Sequence, residues 1–387
     1  MGQDSWAVRR LFFVLVMSLA AASCLFDRPR IKHPELPRDV TSLTLVGQFS
    51  IPSLGRFPPV MGLPFGGISG LTTRDAGREI YGISDARGGG RIYRFALENP
   101  GGALRVETLS TVSLEMAPGE ESPDHEGIVL LHDGTFAVSA EGTGRAPRQP
   151  ASVAIYGRHG DFVHRLPIPE KFVPEPNGSA TKGARGNAGF ESLALSPDGE
   201  RLFTTAETAL LQDGEAATFE AGARTRILEF VAGHGTFEPA REFAYDLEPV
   251  QKPPFTPNAF INGLVELLAL DRTTLLALER AFVENQETPE LGRSYIRLYR
   301  ITLTDATDIS ALESLKGHPE VVPVKKTLLM DLSKVQGLSP DLARNLDNFE
   351  GIAIGPRLPD GRATLLLVSD DNFRAEQRTW FLLFAIE

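Results

Sequence analysis

Asp124-His125-Glu126-Gly127-Ile128-Val129-Leu130-Leu131-His132-Asp133-Gly134-Thr135-Phe136-Ala137-Val138-Ser139-Ala140-Glu141 reads as a β-hairpin. An apolar run follows an acidic start, Asp-Gly makes the turn, and a second apolar run ends in another acid. In an antiparallel pair the start of one strand lies beside the end of the other. Glu126 and Glu141 therefore belong at the same end of the hairpin.

The pattern recurs. Gly189-Phe190-Glu191-Ser192-Leu193 leads to Thr205-Ala206-Glu207, and Asn348-Phe349-Glu350-Gly351-Ile352 leads to Ser369-Asp370-Asp371. Two copies lose the first acid: Gly67-Ile68-Ser69-Gly70-Leu71 ends in Ser84-Asp85, and Ile261-Asn262-Gly263-Leu264 ends in Leu278-Glu279. From marker to closing acid the separations are 16, 15, 16, 17 and 20 residues, which signals one repeated unit. Two further strand-like runs follow each of the first four hairpins. After the last hairpin only Trp380–Ile386 remains, and the missing strand is available as Ser42–Phe49. Four-stranded units with one completed from both chain ends predict an all-β, closed β-propeller. The repeat count gives five blades. Six is the alternative, because the longest interval between markers, 88 residues, has room for a weak blade. A two-sheet sandwich would leave the matched ends and phased acids unexplained.

Abundant turn formers, 37 Gly and 28 Pro in 387 residues, agree with short strands and many turns. The repeat uses residues 42–387 as a single domain. Residues 1–23 read differently: Arg9 and Arg10 precede an apolar run from Leu11 to Ala22, the pattern of a secretory signal. Ala21-Ala22-Ser23-Cys24 resembles a bacterial lipobox, and Cys24 is the chain's single cysteine. A lipid on Cys24, with residues 24–41 as tether, would make the membrane a partner through the anchor only, on the bacterial cell envelope. An ordinary signal peptide cut nearby is the alternative. Without residues 1–23 the chain carries 37 basic and 49 acidic residues, a net −12. That balance argues against nucleic acid as partner.

The innermost strands of a propeller line its channel, so markers and closing residues converge at one mouth. The expected ring is Asp85, Glu126, Glu141, Glu191, Glu207, Glu279, Glu350 and Asp370, with Asp371, Asn262 and Asn348 beside them. Oxygen ligands in that number suit a hard cation, Ca²⁺ before Mg²⁺. Each acid alone could equally end its strand and face water. Arg87, Arg145 and Arg280 trail closing acids, Arg374 follows Asp371, and Lys182 and Arg185 lie in the Gly-rich loop before Glu191. Guanidinium groups near a cation suit an anionic small-molecule ester. His125 is the histidine nearest the mouth and a candidate base beside Glu126 and Glu191. No G-x-S-x-G elbow, H-E-x-x-H or phosphate loop is present.

The ordered set of Gly67–Leu71, Asp124–Gly127, Gly189–Leu193 and Asn348–Ile352, with closing Ser84-Asp85, Ala140-Glu141 and Ser369-Asp370-Asp371, resembles the bacterial phytase-like family. The resemblance spans roughly residues 42–387. It implies an exported propeller with esterase-like activity of phytase, acting on a phosphate ester or other ester. Alkaline phytases hold substrate phosphates with calcium, Lys and Arg, and their individual ligands do not map onto this chain. A non-catalytic binding propeller with structural calcium and a lactonase are the other two readings.

Overall fold

The computed structural model describes residues 36–53, 65–86, 89–233, 235–288 and 292–387. The expected leader 1–23, Cys24, Arg87 and most of the expected tether lie outside the described residues. Leu36 and Val40, at the tether's end, are buried in the apolar core beside Leu270 and Met330.

The chain forms five four-stranded antiparallel sheets. Blade 1 is β2 (Ile68–Arg74), β3 (Glu79–Ser84), β4 (Arg91–Glu98) and β5 (Arg105–Ser113). Blade 2 is β6 (His125–Leu130), β7 (Phe136–Ala140), β8 (Ser152–Tyr156) and β9 (Phe162–Arg165). Blade 3 is β10 (Ala194–Leu195), β11 (Arg201–Thr205), β12 (Arg224–Gly233) and β13 (Thr236–Asp246). Blade 4 is β14 (Pro257–Ala269), β15 (Thr274–Asn285), β16 (Arg293–Thr302) and β17 (Lys325–Asp331). Blade 5 runs β18 (Asn348–Gly355), β19 (Thr364–Asp370), β20 (Arg378–Ile386) and finally β1 (Leu43–Pro52) from the other end of the chain.

Five apolar clusters close the ring, one between each pair of neighbouring blades. Phe381 and Leu383 meet Tyr93 and Phe95 between blades 5 and 1, and Ile83 and Ile92 meet Ile128 and Val138 between 1 and 2. Comparable clusters join blades 2 to 3, 3 to 4 and 4 to 5. The fold is a five-bladed propeller, and the alternative of six falls. The long interval holds no extra blade: residues 303–324 instead run along blade 3's outer strand, where the Ile309 N–H donates to Glu242 O at 2.9 Å and the Val324 N–H to Ala244 O at 2.9 Å. Covering that edge strand satisfies backbone groups that would otherwise be open to pairing.

Four of the innermost strands share a one-residue register shift at the marker. The pairing slips between Ile68 and Gly70, between His125 and Ile128, and between Phe349 and Gly351. Blade 3 slips between Phe190 and Ala194, which leaves only a two-residue strand where a longer one was expected. A bulge leaves one residue unpaired and re-aims its side chain. Ser69, Glu126, Glu191 and Glu350 thereby turn toward the axis. In blade 4 the slip lies three residues later, between Leu264 and Glu266. Arg280, opposite Gly263, then occupies the closing position, and Glu266 falls where the other blades carry Gly70, Gly127, Ser192 and Gly351.

Those small residues mark a waist in the channel. A Cβ on Gly70 would lie 2.4 Å from Glu126 O, and one on Gly127 2.5 Å from the Leu193 backbone nitrogen. Glu266 fills the space they leave. Its buried carboxylate accepts the Leu267 N–H at 3.0 Å and faces the backbone N–H groups of Leu193 in blade 3 and Leu71 in blade 1. Burial pushes its pKa well up, against the pull of those three donors.

Gly127→Ala is expected to destabilise the fold by about 1–3 kcal/mol through backbone overpacking. A Cβ on Gly233 meets nothing, so Gly233→Ala serves as the neutral control. Glu266→Leu, which takes the acceptor from the Leu267 N–H and from the axis, should cost a similar amount. Urea midpoints at unchanged slope are the measurement, and wild-type midpoints for Gly127→Ala and Glu266→Leu would refute the waist.

Candidate functional site

Above the waist the bulges and strand ends deliver the carboxylates to one buried cluster. Glu126, Glu141, Glu191, Glu207, Glu350 and Asp370 are each under a tenth exposed, and Asp85 is half-buried. Mutual repulsion connects them: Glu126 feels Glu141, Glu350, Asp124 and Asp85, while Glu191 feels Glu141, Glu207 and Glu126. Burial first, then these neighbours, push Glu126 and Glu191 well above the usual carboxylate range. Burial likewise raises Asp370 well above it, with Asp85 and Glu350 adding to the effect. Glu141 is pushed up to about 8 and Glu207 to about 7, in both cases chiefly by burial.

The cluster has two halves. On the blade 4–5 side, Arg280 sits in the closing position and Nη2 reaches Glu350 at 2.8 Å and Glu207 at 3.4 Å. Burial alone would lower the guanidinium pKa; Glu350, Glu207, Glu191 and Glu126 outweigh it and raise it. Asn348 Nδ2 donates to Glu350 Oε1 at 3.0 Å and Asp370 Oδ2 at 3.3 Å. This half carries its own counter-charge. The blade 2–3 side differs: ligand oxygens of Asp124, Glu126 and Glu141 lie within 4.8 Å of one another. Glu141 Oε2 and Glu191 Oε1 are buried with no hydrogen-bond partner among the described residues.

Those orphaned oxygens test whether a hard cation fits. Ca²⁺–oxygen bonds of about 2.4 Å put opposite ligands about 5 Å apart, so the three acids span one ion. An oxygen-only donor set suits Ca²⁺ and offers nothing to a thiophilic metal.

Other expected residues stand elsewhere. The displaced bulge turns Glu279 away from the axis, where it accepts from Tyr245 Oη and Lys326 Nζ, both at 2.8 Å. His125 is buried against the Tyr156 ring and Gly90, and burial lowers its pKa to about 4. Lys182 pairs with Glu170 at 2.9 Å, and Arg185 donates to the carbonyls of Ala209 and Gly214. Arg145 and Arg374 are exposed. Asp371 anchors the rim, accepting the Gly67 N–H at 2.8 Å. Two members of the arrangement were not singled out from the sequence. Asp124 is identified only by cross-strand pairing, the Glu141 N–H donating to Asp124 O at 3.0 Å. Glu266 did leave a signal, as the one charge inside Leu264-Val265-Glu266-Leu267-Leu268.

Comparison with known proteins adds a family. The family described as "Phytase-like: Esterase-like activity of phytase" matches residues 63–373. An uncharacterized secreted protein of the fungus Arthroderma benhamiae is 29% identical over 114 residues, 24% of this chain and 21% of its own length. The chain thus spans about a fifth of the curated relative it matches. Among solved structures, a periplasmic gluconolactonase of Pseudomonas aeruginosa is 15% identical over 84% of this chain and 86% of its own, with a TM-score of 0.30. The catalytic domain of a Coprinopsis cinerea α-L-arabinofuranosidase is 9% identical over 90% and 98%, with a TM-score of 0.38. Likeness at these scores says nothing about chemistry.

Stability should report the strained charge directly. A raised carboxyl holds its proton in the folded state after the unfolded chain has released it. Between the ordinary 4.5 and about 8 for Glu141, the folded protein therefore binds more protons, and stability falls as pH rises through that window. The chelated protein should melt several degrees lower at pH 8.5 than at pH 5.5. Added Ca²⁺ should raise the melting temperature more at pH 8.5 than at pH 5.5, because protons compete for the same oxygens. A chelated protein whose melting temperature does not fall from pH 5.5 to 8.5 counts against the raised acids, and equal shifts at both pH values count against the cation site.

Proposed function

The chain belongs to the phytase-like family, and from that premise we propose that it is an exported hydrolase whose ester bond is cut at the acidic channel mouth. The observation that carries the reading is the blade 2–3 part of the cluster, where Glu141 Oε2 and Glu191 Oε1 are buried without a hydrogen-bond partner among the described residues. Asp124, Glu126 and Glu141 would hold Ca²⁺. When bound, it would supply positive charge that polarises the ester oxygen and offsets charge developing there.

The remaining chemistry belongs to side chains. Glu191 stands beside Glu141 with Oε1 free among the described residues. It takes a proton from water as the water oxygen bonds to the acyl carbon or phosphorus. The ester C–O or P–O bond then breaks, and the departing alcohol oxygen recovers that proton. The base role passes from His125 to Glu191, because the imidazole is packed against Tyr156. Arg280 holds Glu207 and Glu350 in place and opposes the rise in pKa that burial imposes on both. Arg145, exposed at the loop after Glu141, is the basic group left to meet an anionic substrate arriving from solvent.

Export rests on the leader-like residues 1–23, and the secreted description of the Arthroderma relative supports it. A lipid on Cys24 would hold the propeller at a bacterial envelope.

Glu191→Gln should lower kcat on a hydrolysed ester about 10²–10⁴-fold, the usual range for losing a general base, while Ca²⁺ still raises the melting temperature. Glu126→Gln with Glu141→Gln should abolish the Ca²⁺ shift as well as turnover. Undiminished kcat in Glu191→Gln would remove the assignment, and a Ca²⁺ shift without turnover on any ester would leave a binding propeller. Radiolabelled palmitate should enter the wild type and not Cys24→Ala in an expressing bacterium; equal labelling sinks the anchor.

A further inference from the structure

Blade 2 carries a cavity that the acidic cluster does not use. It encloses about 240 Å³ beneath the loops that precede β6 and follow β7. Its wall includes Pro123, Ala140 and Gly142, the immediate chain neighbours of Asp124 and Glu141. The wall continues through Ala151, Leu166 and Ile168, so it is largely apolar. The one basic side chain on it among the described residues, Arg165, is already committed to Glu120 at 2.9 Å and to Pro118 O at 2.9 Å. The cavity thus offers an entering group shape and apolar surface, with no free cation.

The basic residues around the mouth point the same way. Lys182 is paired with Glu170, Arg185 with backbone carbonyls, and Arg280 with Glu207 and Glu350. Among the described residues Arg145 and Arg374 stay exposed, which is few cations for the dense negative charge of a highly phosphorylated polyol. A small neutral group makes no such demand. An apolar cavity of about 150 Å³ already admits benzene, so this one accommodates a ring and a few further atoms.

We propose that the blade 2 cavity is the specificity pocket of the hydrolase, and that the substrate is a monoester bearing one compact apolar or aromatic group. This rests on the hydrolase reading above and narrows it. The cavity wall adjoins the cluster through Pro123, Ala140 and Gly142, and in this proposal the ester bond lies on that side of the cavity.

The experiment compares benzyl with methyl esters, as acetates and as phosphates, on the intact protein with Ca²⁺. Benzyl and methyl leaving groups have similar basicity, so the comparison reads binding rather than intrinsic reactivity. The expected KM is at least tenfold lower for the benzyl member of whichever pair is hydrolysed, with inositol hexakisphosphate a poorer substrate than either. Ile168→Trp, which fills the cavity, should raise the benzyl KM at least tenfold and bring the benzyl-to-methyl ratio toward one. An unchanged melting temperature shows that this variant folds. Equal KM values in the wild type, no effect of the variant, or preference for the hexakisphosphate would each overturn the pocket. If no ester is hydrolysed, the hydrolase reading fails on its own, and calorimetric titration with benzyl alcohol decides the pocket separately. Saturable binding lost in Ile168→Trp supports it, and absence of binding overturns it.

Discussion

The close approach of the innermost strands governs this molecule. At the waist, backbone of one blade touches backbone of the next: a Cβ on Gly127 would collide with Ser192 and Leu193, and one on Gly351 would press on Ser69 O. Packing that tight leaves no room for a side chain at three of the five positions, and only serine at a fourth, Ser192. The fifth supplies a single carboxylate, Glu266, which accepts the Leu267 N–H and faces backbone N–H groups of blades 3 and 1. The small residue after the marker in blades 1, 2, 3 and 5 (Gly70, Gly127, Ser192 and Gly351) is thus a requirement of ring closure, and the register slip that aims the acids at the axis sits directly beside it.

Aiming acids at one axis creates an electrostatic problem, and the protein resolves half of it internally. Arg280 arises because the fourth repeat slips three residues late, so that a guanidinium replaces a carboxylate in the ring. It pairs with Glu350 and Glu207. The blade 2–3 half keeps Glu126, Glu141 and Glu191 close together with Asp124 beside them, and Glu141 Oε2 and Glu191 Oε1 find no hydrogen-bond partner among the described residues. Burying several like charges without compensation is costly, and proteins retain such an arrangement where a proton or a bound cation completes it. The asymmetry gives the mouth a direction, with a fixed charge pair on one side and an open acceptor set on the other.

The architecture was largely legible in the sequence. The period-2 apolar runs, the Asp-Gly turns and the matched terminal strands specify blades, and the spacing of markers specifies their phase. Burial of apolar faces forces such runs together whatever the loops do. Two features resisted. The 88-residue interval leaves five and six blades open, because residues 303–324 carry short apolar stretches that serve as an edge cover. The fourth repeat looks in register at Asn262-Gly263, since a displaced bulge leaves no mark in residue spacing.

The sequence by itself determined the fold class, the end-to-end closure and the convergence of Glu126, Glu141, Glu191, Glu207, Glu350 and Asp370, because these follow from local periodicity repeated in phase. Only the tertiary structure decided that Glu279 turns away, that Arg280 enters the ring, that His125 is packed out of reach, and that Glu266 holds the axis. Those outcomes depend on one-residue shifts in strand pairing, and a single shift sends a side chain to the opposite face of its sheet. Charge pairing across blades is likewise set by distances between segments far apart in the chain, which no local pattern encodes.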